Sequence, residues 1–125
     1  MMTSRTYVNQ LSGLIAPLLD VPVFLYDGNF PQTLPCIIIG VDSEKVAEGN
    51  LNGNYVLESY IMVITNGYDD LGNDIAQGIH DEILDGMNGQ SLSCLDGMFY
   101  NGSERSDGEE STLIKMNFEA FTHTT

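Results

Sequence analysis

Few residues in this chain combine the type and the spacing that chemistry needs. His80 is followed directly by Asp81 and Glu82. An imidazole beside carboxylates is raw material for acid–base or metal chemistry. No HExxH pattern frames it, and His123 lies far away in the tail. The simpler reading is a partly exposed helical histidine without a catalytic role. Asp69, Asp70 and Asp74 resemble a calcium loop only superficially. The alternating ligands and closing Glu of an EF-hand are missing, so a helix cap and a solvated face explain them better. Asp107, Glu109 and Glu110 read as acids of a solvated loop. Cys36 and Cys94 sit in apolar, strand-like contexts with no CxxC. Two buried thiols in a reducing compartment fit that setting, although the sequence also allows a disulfide. Two cysteines and two distant histidines do not make a zinc site. The nucleophile elbow, the P-loop and the dinucleotide fingerprint are all missing. Asn101-Gly102-Ser103 fits a glycosylation sequon, but no apolar segment of the secretory kind precedes it. The expectation is a protein that is not an enzyme and uses no cofactor and no metal.

The elements around these residues follow from periodicity. Leu11, Leu14, Ile15 and Leu18 recur at helical spacing, which predicts a helix from about Ser4 to Leu19, closed by Pro17 and Pro22. Val23 to Tyr26 forms a short strand, and Cys36 to Val41 one buried on both faces. Residues 42–54 are polar and read as a long connection. From Tyr55 to Thr65 the chain alternates, with Leu57, Ser59, Ile61 and Val63 on one face. Asp69 or Asp70 then caps a second helix that ends at Gly86 or Gly89. Its core face carries Leu71, Ile75, Ala76, Ile79 and Ile83, and its far side an acidic stripe of Asp70, Asp74, Asp81 and Asp85. The pair Asp81 and Asp85 repels by about 0.2–0.5 kcal/mol. Leu92 to Leu95 and Met98 to Tyr100 read as short strand pieces, split by Asp96-Gly97. Residues 101–111 form a second polar loop before a strand from Thr112 to Phe121, whose Ile114, Met116, Phe118 and Ala120 face inward. The whole predicts a single α+β domain over residues 1–125. Its mostly antiparallel sheet has four to five strands, with two helices packed on one face and long hairpin loops.

Charge narrows the function. The 125 residues carry 18 acids against 4 bases, a net charge of −14. No Lys or Arg occurs between Lys45 and Arg105. Phosphate contacts need basic side chains, so reading DNA and adsorbing to anionic lipid are both disfavoured. No apolar run approaches the length of a membrane span. Such a surface instead suits a wall past which DNA slides.

The ordered pattern resembles the tail terminator, or tail-completion, proteins of tailed bacteriophages. An N-terminal helix leads to the short strand Val23 to Tyr26. Leu34-Pro35 precedes the apolar strand Cys36-Ile37-Ile38-Ile39-Gly40, with Cys36 where many relatives have an aromatic residue. A long loop, the strand Tyr55 to Thr65 and a helix with Ile75-Ala76, Ile79 and Ile83 follow, and a strand, loop and strand close the chain. The resemblance implies a hexameric ring at the head-proximal end of a tail tube in the virion, assembled in the host cytoplasm. Its implied partners are the tail tube protein and a head-completion or connector protein, with DNA only in transit through the lumen. Glu44, Glu48, Asp70, Asp74, Asp81 and Asp85 are then the candidates for lining the channel or an interface. Two other readings remain: another ring component such as a tube or connector protein, or a small acidic binder that mimics DNA.

Overall fold

The computed structural model describes residues 4–26, 34–46, 55–66, 74–87, 95–108 and 111–122. Helix α1 (Ser4–Ile15) runs into a 3-10 turn (Ala16–Leu18) and is followed by strands β1 (Val23–Leu25), β2 (Cys36–Val46) and β3 (Tyr55–Thr65). Helix α2 (Ile75–Met87) and strands β4 (Leu95–Asp107) and β5 (Thr112–Thr122) complete the order. The strands form one sheet in the order β1-β2-β3-β5-β4. β1 pairs with β2 in parallel, and every other neighbour is antiparallel. The expected α+β architecture is therefore present, with five strands.

Both helices cover one face. α1 packs on β1 and β2, and α2 packs on β3 and β5. The alternation read in β3 places Leu57, Ile61 and Val63 in this core, with Ile114, Met116, Phe118 and Ala120 of β5 beside them. α1 contributes Tyr7, Leu11 and Ile15 at four-residue spacing, so they share one stripe. α2 contributes Ala76, Ile79, Ile83 and Met87. Ser59 is a polar residue in the middle of an apolar face, and its partner explains it. The Tyr7 and Ser59 hydroxyls lie 2.7 Å apart, both buried. Leu18, the last residue of the helical repeat, is 36% exposed. A smaller apolar cluster of Cys36, Ile38 and Ile64 lies on the other face of the sheet. Cys36 is a free, fully buried thiol, and burial pushes its pKa up. Cys94 lies outside the described residues.

Two expected loops are largely strand. β2 does not end at Gly40 but continues through Asp42, Ser43, Glu44 and Lys45 to Val46, with a register shift between Val41 and Ser43. β3 offers a full-length partner there, down to Tyr55 opposite Val46, and ladder hydrogen bonds outweigh poor strand propensity. β4 likewise runs unbroken through the segment read as the loop 101–111, as far as Asp107. Its ladder with β5 shifts register between Leu95 and Gly97 and again between Tyr100 and Ser103. Gly102 absorbs the latter at φ +102, a conformation that a Cβ would strain. Where β4 and β5 come together, the Gly108 N–H donates to the Ser111 carbonyl at 2.8 Å. Residues 47–54, the rest of the other expected loop, are outside the described residues.

Gly40 carries a different constraint. Tyr60 is its cross-strand partner, and the Tyr60 ring occupies the space that a Cβ on Gly40 would need. The Lys115 ammonium lies over the ring, 4.9 Å from its centroid, and Lys115 pairs with Asp42 at 3.3 Å. Burial, and then the negative charge of Asp42, raise the Tyr60 pKa. Gly40→Ala must displace this ring. It is expected to cost about 1–3 kcal/mol in urea unfolding and, by exposing the ring, to bring the Tyr60 titration down from its raised position towards that of an ordinary tyrosine.

Candidate functional site

The polar residues of α2 meet the polar half of β4. Asp74, read from sequence as part of the acidic stripe, is the residue that caps α2. Its Oδ1 accepts from the Gln77 N–H at 3.1 Å. Asp69 and Asp70, the expected caps, lie outside the described residues. The helix also runs past Gly86 to Met87, with the Leu18 side chain against Gly86.

His80 is buried, not partly exposed as its neighbours suggested. Its Nδ1 lies 2.9 Å from Asp81 Oδ1, and the Gln77 amide donates to that same oxygen at 2.9 Å. These bonds hold the Asp81 carboxyl below the usual carboxylate range. A proton on Nδ1, directed at the carboxylate, leaves Nε2 as an acceptor. Nε2 is 3.0 Å from Ser103 Oγ and 3.4 Å from the Tyr100 hydroxyl, and those two hydroxyls also contact each other. Arg105 sits one strand pitch along. Its guanidinium bonds Asp74 Oδ2 at 2.7 Å and Asp107 Oδ1 at 3.1 Å, and Thr112 Oγ1 donates to Asp107 at 3.0 Å. Arg105 and Thr112 hold the Asp107 carboxyl low, and both acids keep Arg105 firmly protonated.

The order Asp81–His80–Ser103 is the hydrogen-bond order of a base-activated hydroxyl. Here Tyr100 competes for the same imidazole nitrogen, and the groups satisfy one another. The cluster fastens α2 to edge strand β4. No group of three or more His, Cys, Asp or Glu suited to a metal occurs among the described residues. An open groove of about 330 Å³ lies towards the opposite edge of the sheet, lined by Arg5, Val8, Leu25, Tyr26 and Val41 among others.

No family model matches this chain, and neither does any curated protein. Its fold is similar to that of a solved chain described as "Virion of native gene transfer agent (GTA) particle". The TM-score is 0.61 at 20% identity, over 94% of this chain and 91% of the other. The likeness is one of fold, and it extends over nearly the whole length of both chains.

The six acids singled out from sequence have different surroundings. Asp74 is half-buried against Arg105, and Asp81 is exposed but bonded to His80 and Gln77. Asp85 and Glu44 are exposed, on α2 and on the extension of β2. Glu48 and Asp70 lie outside the described residues. Sequence reasoning missed Tyr100, Ser103 and Arg105 as partners of α2. Ser103, Arg105 and Asp107 do alternate as one strand face, but polar residues on both faces give no hydrophobic signal.

His80→Ala strips the shared partner from Ser103, Tyr100 and Asp81, and is expected to cost about 1–3 kcal/mol in denaturant unfolding. A fluorophosphonate probe is expected to leave Ser103 unlabelled. Acid titration gives a second outcome. Falling pH towards the isoelectric point near 4.1 relieves self-repulsion and raises stability. The lowered carboxyls of Asp81 and Asp107 act oppositely. Their contribution is complete above the unfolded carboxylate value of about 3.9 and is lost as pH falls through their lower folded values. The melting temperature should therefore peak near the isoelectric point and drop below it, less steeply in Asp107→Asn.

Proposed function

We propose that this chain is a structural virion protein of the tail-terminator type. In this reading six copies form a ring on the head-proximal end of a tail tube, end its polymerisation and present the surface to which the head docks. The observation that carries the reading is the fold likeness to a virion chain across 94% of this chain. The net charge of −14 supports it independently, because an acidic lumen repels phosphate and keeps DNA from adhering in transit. Glu44, Glu48, Asp70, Asp74, Asp81 and Asp85 are the proposed channel or interface acids. Of these, Asp85 and Glu44 have exposed side chains with no ion pair among the described residues, so their charge is the more available to a lumen. The partners in this reading are the tail tube protein below and a head-completion or connector protein above. The virion is the site of action, after assembly in the host cytoplasm.

Like charge opposes assembly, and salt screens it. Native mass spectrometry across a salt series is expected to show a species of about six 13.7 kDa subunits that strengthens with salt. Added to growing tubes, the protein should shorten them. Long filaments of the chain itself would indicate a tube protein instead. In assembled particles, Glu44→Lys with Asp85→Lys is expected to slow DNA ejection at low salt and to recover at high salt; an unchanged rate would remove both acids from the lumen.

A further inference from the structure

The exposed aromatic residues of the described chain gather at the two edges of the sheet. Phe24 and Tyr26 lie on or beside β1, next to the exposed Leu25, and Phe99 and Tyr100 lie on β4. β1 and β4 are the outermost strands, so these patches are at opposite ends. They differ in shape. Phe99 is a projecting knob, 59% exposed, and an edge-on contact with Phe121 at 5.6 Å steadies its ring. The β1 end is concave. The groove between α1 and the β1–β2 edge is open to solvent and has a volume of about 330 Å³.

The patches also differ in charge. Arg5 stands on the wall of the groove, exposed and without an ion pair to any described residue. Of the other bases, Arg105 and Lys115 are both paired with acids. Beside Phe99, directly across the β4–β5 ladder, is Glu119, and the Asn101 amide donates to its Oε2 at 3.3 Å. Glu104 on the same edge strand adds a further negative charge. Each patch is unsuited to a copy of itself. Two β4 edges would oppose acid to acid, and two grooves would oppose Arg5 to Arg5. Like charges across an interface are strongly unfavourable, whereas knob against groove brings Glu119 to Arg5.

We infer that the Phe99 knob of one copy seats in the Arg5 groove of the next, with Glu119 paired to Arg5. This inference rests on the ring reading and specifies its interface. A contact between two different patches is heterologous, and repeated around an axis it closes into a ring when its rotation permits. A buried aromatic anchor beside a charge pair is also the usual composition of an interface centre.

The test uses the full-length protein in the salt that favours assembly. Benzoylphenylalanine in place of Phe99 is irradiated, and the cross-linked peptides are identified by mass spectrometry. The expected partners are peptides containing Arg5 to Val8, Leu25-Tyr26 or Val41 of a second copy. Cross-links to β4 itself, or to any other surface, overturn the proposal. A charge exchange is the second arm. Arg5→Glu and Glu119→Lys should each raise the concentration needed for assembly at least tenfold, and together return it to within threefold of the parent. Glu119→Lys is the decisive single change, because it lowers the net negative charge and would promote assembly if general repulsion alone mattered. Circular dichroism confirms that each variant is folded. Single variants that assemble like the parent overturn this interface and leave the ring reading standing. A parent protein that assembles at no salt concentration and shortens no tubes overturns both.

Discussion

The middle strand β3 is the constraint on which the rest of this molecule depends. It is paired along its full length on both sides, with β2 and with β5. Its alternation divides the sheet into a face under the helices and a face without them. A slip of one residue would turn Leu57, Ile61 and Val63 out of the core and bring in Glu58. The Tyr7–Ser59 hydrogen bond adds a directional element to that apolar surface. Both hydroxyls are buried, and Ser59 also donates to the Phe118 carbonyl at 3.5 Å, so the bond ties α1 to β3 at a defined point. Strand length follows from the same element. The polar residues 42–45 are strand because β3 would otherwise leave backbone groups unpaired opposite them.

Electrostatics works against this compact core and is arranged around it. With 18 acids and 4 bases the chain repels itself. The bases whose side chains are described are used economically: Lys115 lies over Tyr60 and against Asp42, and Arg105 bridges the Asp74 cap to Asp107. Arg105 thereby fastens the start of α2 to the β4 edge, and His80 repeats that attachment further along with neutral hydroxyls. Arg5 is left at the far edge, facing outward beside the groove. Among the bases whose side chains are described it is the one left without an ion pair, in a chain whose like charges oppose association.

What the sequence determined by itself was the layer architecture. Residues whose burial repeats every two or every 3.6 positions announce their element without help from the rest of the chain. Tyr55–Thr65 and Thr112–Phe121 were legible to within a residue, and Ala76, Ile79 and Ile83 already marked the core face of α2. Net charge, too, needs no fold to be read, and it disfavours contacts with a phosphate backbone. Tertiary structure decided everything that depends on a distant partner. The polar ends of β2 and β4 carry no apolar alternation, and only the neighbouring strand makes them strand. Asp74 became a cap because the helix begins where Ile75 can reach the core, and His80 became buried because β4 extends across it. The pairing of Ser103, Tyr100 and Arg105 with α2 spans sequence separations that no local period records. The physical reason is common to all of these. Hydrophobic burial is non-directional and is written into composition and period, whereas hydrogen bonds and ion pairs are directional and exist only once the fold has placed both partners.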